Sequence, residues 1–328
     1  MARNTGRITL GEGKYELMQV AGEGGMATVW KAIMRGAAGF SRFVAVKHIL
    51  QKLHTNQEFV EMFVEESRVG SQLQHANIVQ TYDFGQDPRG VYYLVLEWVE
   101  GLDFGRWLDA HRQAGGRPRW PLIIAVAVET LRGLGAAHER IDGHGKLSPV
   151  IHRDVTPQNV LISTNGLVKI SDFGLSRAMD RLQMTHPDVI KGKLAFLAPE
   201  VTMGQSATVQ SDLFSLGVVL WEALAERPLY QGSSDAEVFL AAREARIPPL
   251  AELRPSLPPA LVEVIHMALA KDPTQRFATA REMQRALASQ LRLVVDEETD
   301  DLALGQSVIK AREVLGMPEP RPVPPPDL

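Results

Sequence analysis

Three side chains able to handle a phosphoryl group stand near the middle of this 328-residue chain. Asp154 and Asn159 lie five residues apart in the polar stretch Ile151-His152-Arg153-Asp154-Val155-Thr156-Pro157-Gln158-Asn159-Val160-Leu161. A carboxylate near a small amide suits metal-assisted phosphoryl transfer, in which one group orients a hydroxyl and another holds a cation. The apolar ends, Val150-Ile151 and Val160-Leu161-Ile162, predict two short buried strands that present the loop. Farther on, the β-branched run Val168-Lys169-Ile170 delivers a second carboxylate, Asp172, in Asp172-Phe173-Gly174 at a strand end.

The elements that must position these groups follow from the pattern of the rest. Residues 1–14 are polar and predict a flexible segment. Tyr15 to Val20 reads as a strand that runs into Gly22-Glu23-Gly24-Gly25-Met26-Ala27-Thr28-Val29. Three glycines in four residues let backbone N–H groups approach a phosphate, although a Gly-rich hairpin alone is a weak signal. Strands are expected at Val29 to Met34 and at Phe43-Val44-Ala45-Val46-Lys47, where alternation puts Ala45 and Lys47 on one face. Glu58 to Leu73 has helical periodicity, with Phe59, Phe63, Ser67 or Gly70, and Leu73 inward. Strands at Val79 to Phe84 and Val91 to Leu96 lead to Glu97-Trp98-Val99-Glu100-Gly101, an extended linker. Beyond it the chain reads as mainly helical: Asp103 to Gln113, Leu122 to Arg140, a nearly all-apolar helix from Ser211, then Asp235 to Ala245, Pro259 to Ala270 and Thr279 to Leu293. The organisation expected is 1–14 flexible, 15–100 β-rich lobe, 101–293 helical lobe, and 294–328 an acidic, then proline-rich tail.

Composition narrows the function classes. A net charge of -4 predicts no broad basic surface and no nucleic-acid partner. There is no cysteine, so disulfides and thiolate metal sites are excluded. No uninterrupted apolar run suggests a membrane span, and the expected compartment is the cytoplasm. The 45% hydrophobic content supports large cores, and the proline-rich tail is a candidate partner-binding segment.

Gly22-x-Gly24-Gly25-Met26, Val44-Ala45-Val46-Lys47, His152-Arg153-Asp154, Asp172-Phe173-Gly174 and Ala198-Pro199-Glu200 occur in this order. Together they resemble the bacterial eukaryotic-like (Hanks-type) Ser/Thr protein kinases over roughly Tyr15 to Leu291. The resemblance implies an α+β, bilobal protein-kinase-like fold with an antiparallel β-rich N-lobe and a mainly helical C-lobe. It implies ATP and Mg²⁺, with Mn²⁺ as a substitute, and transfer of the γ-phosphate to Ser/Thr hydroxyls of protein substrates. By residue, it implies that Asp154 orients the attacking hydroxyl and that Lys47, held by Glu66, neutralises the α- and β-phosphates. Asn159 and Asp172 would hold the metal. The nucleotide would be enclosed by Ala21, Gly22, Glu23, Gly24, Gly25, Val29, Ala45, Leu161 and Asp103, with adenine on the linker at Glu97 and Val99 and Leu96 at the back. Glu66 is preferred over Glu61 and Glu65 because it stands nine residues before His75. His152 is expected to be structural, and Glu200 and Arg276 to form a buried ion pair.

Two departures from the family pattern carry a hypothesis. Thr156 replaces the catalytic-loop lysine, and Lys193 replaces a threonine six residues before Pro199. An exchange would bring the ammonium from the activation segment and the hydroxyl from the loop. Thr185, with Arg153 and Arg177 as phosphate partners, is a candidate regulatory phosphorylation site. The competing readings are a pseudokinase acting as a nucleotide-binding scaffold, which only Thr156 favours, and a small-molecule phosphotransferase, which the Ala-Pro-Glu closure and Arg276 oppose.

Overall fold

A computed structural model describes residues 8–173, 194–294 and 301–320. The chain divides into two compact units: 8–74 with 79–98 and 319–320, and 75–78 with 99–318.

The first unit is built on a six-stranded antiparallel sheet in the order β1-β2-β3-β4-β6-β5. Its strands are β1 Thr9–Leu10, β2 Tyr15–Glu23, β3 Ala27–Arg35, β4 Ser41–Ile49, β5 Thr81–Gln86 and β6 Tyr92–Glu97. Of the flexible segment expected over 1–14, residues 1–7 lie outside the described residues; within 8–14, Leu10 pairs with Tyr15 and is buried, because it completes the cluster of Tyr15, Val44, Val46, Tyr93 and Val95. Helix α1, Gln57–Ser71, starts where the Asn56 side chain accepts from the N–H groups of Glu58 and Phe59. It buries Phe59, Phe63 and Ser67, the face its periodicity announced.

The second unit is mainly helical. Its small antiparallel sheet runs β7 Gly101–Asp103, β8 Val160–Ser163 and β9 Val168–Ile170 in that order. The helices are α2 Phe104–Gln113, α3 Trp120–His138, α4 Pro199–Thr202, α5 Val209–Ala225, α6 Asp235–Glu244, α7 Leu250–Leu253, α8 Pro259–Ala268, α9 Ala280–Arg292 and α10 Asp301–Val314. By length and composition α3 could cross a membrane. It is instead the core helix of this unit, burying residues such as Ile124, Leu131 and Leu134. Helix α5 is capped by Thr208, whose neighbour Ser211 closes a reciprocal capping box.

Two expectations are corrected here. Val150-Ile151 is not a strand: both residues are half-buried in an extended segment, and Val150 donates its N–H to the carbonyl of Ala137 at the end of α3. The segment 294–328 is not simply a tail, because α10 packs against α2, β7 and β8 with Leu304, Val308 and Ala311 buried. Leu304, Val308 and Ala311 recur every three or four residues, the spacing that makes one helical stripe.

Candidate active site

In the second unit a single carboxylate organises the polar loop. Asp212, in the first turn of α5, is 1% exposed and accepts from the N–H of His152 (Oδ2, 2.7 Å) and of Arg153 (Oδ1, 2.7 Å). His138, at the end of α3, bonds its Oδ2 through Nε2 at 2.8 Å. Backbone N–H groups held by a charge are the strong class of hydrogen bond, so the loop is tied to two core helices before its functional residues begin. Arg153 then adopts the left-handed φ of 68°.

His152 is fully buried and carries no catalytic geometry. Its Nε2 bonds the carbonyl of Ser171 at 2.8 Å and its Nδ1 accepts the N–H of Asp154 at 3.2 Å. That pattern needs the proton on Nε2. The imidazole also meets the ring of Phe173 edge-on at 4.5 Å. Asp154 and Asp172 are thus positioned from one histidine, as a structural His152 was expected to do.

Asp154 and Asn159 come together. The Asn159 amide donates to the Asp154 carbonyl (2.8 Å) and to its Oδ2 (2.9 Å). Both amide hydrogens are therefore committed, which orients the group and presents its oxygen, a hard donor of the kind Mg²⁺ takes. Asp172 sits at φ 63°, a left-handed conformation an aspartate tolerates better than most residues and one that clusters at functional sites. The adjacent Ser171 is pinned by its N–H to the carbonyl of Asn159 at 2.9 Å. Thr156 is buried, and its carbonyl accepts the Asn159 N–H at 3.1 Å.

Two more of the expected nucleotide residues are neighbours in this unit. Asp103 and Leu161 face each other across β7 and β8. Asp103 also caps α2, its Oδ1 accepting the Arg106 N–H at 2.9 Å, and burial raises its carboxyl above the ordinary aspartate value against that bond.

In the first unit Lys47 lies mid-strand in β4, opposite Val29 on one side and Leu94 on the other, and is 5% exposed. Directly opposed antiparallel residues share a face, so Val29, Ala45, Lys47 and Leu96 form one surface. The hairpin between β2 and β3 closes tightly, with the Gly24 N–H bonded to the Ala27 carbonyl at 2.9 Å. The pairing slips between Val20 and Gly22, which places Ala21 at a bulge. A Cβ at Gly22 would meet nothing within 4 Å, so protein packing does not require glycine there; room for an approaching phosphate would. Glu97 donates its N–H to the Gln80 carbonyl at 2.8 Å, and its carboxylate Oε2 accepts the Gln80 N–H at 3.2 Å.

On α1, the rivals of Glu66 have local partners: Glu61 accepts from Gln57 at 3.0 Å and Glu65 pairs with Arg68 at 2.8 Å. Glu66 falls one helical turn after the buried Met62; its side chain lies outside the described residues. Lys193, Thr185, Arg177 and Gly174 also lie outside them.

Glu200, in α4, and Arg276 form the expected buried pair. It is bidentate at 2.7 and 2.8 Å, and the guanidinium also donates to the carbonyls of Gln210, Ala270 and Lys271. Sequence reasoning missed Asp212, which reads as one polar residue in an apolar helix. It also missed Asn77, whose amide holds Glu129 and the Val168 carbonyl at the start of β9, both at 2.9 Å.

The family model for the protein kinase domain matches residues 15–288. The sequence is 38% identical over 278 residues to the tyrosine-protein kinase MasK of Myxococcus xanthus, covering 84% of this chain and 42% of that protein. It is 33% identical over 272 residues to the serine/threonine-protein kinase PrkC of Bacillus subtilis, covering 83% and 40%. Among solved structures, the Mycobacterium tuberculosis PknI kinase domain aligns with a TM-score of 0.63 at 24% identity, covering 88% of this chain and all of that one, a likeness of fold. The chain thus spans about two-fifths of the length of MasK and PrkC.

Proposed function

This chain belongs to the protein kinase family, and from that premise we propose that it transfers the γ-phosphate of ATP to Ser/Thr hydroxyls of protein substrates. The observation that carries the reading is the Asp154–Asn159 pair, locked by two hydrogen bonds from the Asn159 amide and anchored through His152 and Arg153 to Asp212. Such fixed polar groups contribute to phosphoryl transfer by positioning and by offsetting charge, with little reorganisation at the moment of reaction.

Asp154 orients the acceptor hydroxyl and takes up its proton. Asn159 and Asp172 would hold a divalent cation, Mg²⁺ or Mn²⁺, which would offset phosphate charge. Lys47, supported by Glu66, neutralises the α- and β-phosphates, and the backbone from Ala21 to Gly25 covers them. Val29, Ala45 and Leu161 enclose the base, Glu97 and Val99 meet its edge, and Asp103 meets the ribose. Lys193 and Thr156 exchange the roles that lysine and threonine have elsewhere in the family. An ATP-dependent reaction in a chain with no cysteine fits action in the cytoplasm, and the proline-rich end is a partner-binding segment.

Similarity to MasK, named a tyrosine-protein kinase, makes the acceptor the point to test. Incubation with labelled ATP, Mg²⁺ and a general protein acceptor, followed by phosphoamino-acid analysis, should give phosphoserine and phosphothreonine. Phosphotyrosine alone would overturn the acceptor class, and label confined to small molecules would overturn the protein substrate.

A further inference from the structure

Helix α10 lies beyond the 15–288 span of the family match, yet it is keyed into the second unit at three places. The first is a contact with the turn between β8 and β9. A Cβ on Gly166 would collide with the carbonyl of Asp301, and one on Gly305 would come within 2.7 Å of the Thr164 carbonyl. Glycine on both sides is what lets the two backbones meet. The second is Trp107 of α2, fully buried, which donates its indole N–H to Ser307 Oγ at 3.1 Å; that hydroxyl also meets His111 Nε2 at 3.3 Å.

The third is Arg312. Its side chain is 7% exposed, and Nη1 meets Glu100 Oε1 at 2.9 Å and the Gly101 carbonyl at 3.0 Å, while Nη2 donates to the Pro318 carbonyl at 2.8 Å. One guanidinium therefore joins the helix, the chain beyond it and the first residues of β7. The Glu100 carbonyl is itself taken by the Thr164 N–H at 2.9 Å, so the same corner is closed from both sides. Burying a guanidinium stabilises this corner only while every partner is in place.

We propose that α10 is a clamp on the strand that serves the nucleotide, with Arg312 as its positioning residue. Val99 immediately precedes the gripped pair Glu100-Gly101, and Asp103 is two residues after it. Loss of the grip frees Val99 and Asp103 but leaves Asp154 and Asn159 anchored through Asp212. The clamp thus acts on ATP affinity and spares the chemical step. It rests on the nucleotide reading above.

The test uses the full chain carrying Arg312→Met, Arg312→Lys or Glu100→Gln, with steady-state kinetics in ATP and backbone hydrogen exchange over residues 99–103. For Arg312→Met, KM for ATP should rise on the order of 3- to 30-fold while kcat stays within about twofold, the coupling expected of a residue in a contiguous network. Exchange over 99–103 should rise as well. Arg312→Lys should recover part of the loss, because an ammonium can pair with Glu100 but lacks the fork that bridges two carbonyls. A folded Arg312→Met enzyme with unchanged KM and unchanged exchange overturns the clamp, and so does a parallel loss of kcat and KM tracking thermal stability. If Arg312→Met does not fold, Glu100→Gln and Ser307→Ala carry the same two readouts. A wild-type chain that binds no ATP defeats the nucleotide reading instead, and the exchange measurement then decides the clamp by itself.

Discussion

Replacing Asp212 by asparagine changes one carboxylate oxygen into an NH₂ group and almost nothing in volume, so its effect isolates the anchoring of the loop that carries Asp154 and Asn159. Three N–H groups converge on this carboxylate, two from the backbone at 2.7 Å and one from His138 at 2.8 Å. The cheaper amide orientation keeps the oxygen toward His152 and His138 and turns NH₂ toward the Arg153 N–H, donor against donor. One charge-assisted bond, worth about 1.5–3 kcal/mol, is lost, and the other two weaken as the charge disappears. Arg153 holds φ at 68° under that bond, and release of its left-handed backbone returns on the order of 1 kcal/mol. The net loss is about 2–3 kcal/mol, or roughly 3–5 °C in melting temperature for a domain of this size. Asp154 follows Arg153 directly, and a displacement near 1 Å can cost about 100-fold in rate. Thermal melts with initial-rate kinetics should therefore show kcat reduced on the order of 10- to 100-fold, with KM for ATP within about threefold. A kcat within about twofold of wild type would refute the anchoring, and so would a melting temperature unchanged to about 1 °C.

Arg276→Met should cost about 3–5 kcal/mol by leaving Glu200 charged and buried, whereas Glu200→Leu/Arg276→Met should recover most of that loss. Urea titrations check it, and a double variant as unstable as the single would contradict it. Burial raises the Glu222 carboxyl to about 7 from an ordinary 4.5, against the Leu229 N–H bonded to it at 2.9 Å. The folded state therefore binds the proton more tightly: the contribution is complete below about 4.5 and is lost as pH climbs through about 7. Glu222→Gln should accordingly gain stability over wild type between pH 5 and 8, by about 2 kcal/mol after allowance for partial exposure, and a difference that does not vary with pH would refute this. Lys193→Ala should lower kcat on the order of 10- to 1000-fold if its ammonium serves the γ-phosphate, and an unchanged kcat would remove it from the chemistry.

Local chemistry announced itself where short motifs meet strong periodicity. The glycine hairpin, the alternation around Lys47, and the inward face of α1 at Phe59, Phe63 and Ser67 all follow from nearest-neighbour rules. Partners distant in sequence were legible only where the family resemblance named them, as at Glu200 and Arg276. Asp212 looks like an intruder in an apolar helix until the fold brings His152 to it, sixty residues away. Arg312 looks like a surface charge on a weak helix until Glu100 and the Gly101 carbonyl surround it. Val150-Ile151 has the composition of a strand, but the Val150 N–H is spent on the Ala137 carbonyl near the end of α3. Leu10 was hidden by the polar residues around it, since a two-residue strand carries too little pattern to be read.

The central claim is that Asp154 directs phosphoryl transfer from ATP to a protein hydroxyl. The most direct test is Asp154→Asn, which preserves size and keeps an oxygen to accept from Asn159. Phosphate incorporation into a protein acceptor is measured beside ATP binding under Mg²⁺. The account predicts that binding stays within about threefold of wild type while incorporation falls at least about 100-fold, the range a positioned general base supplies. Incorporation at the wild-type rate in a variant that binds ATP normally would contradict it.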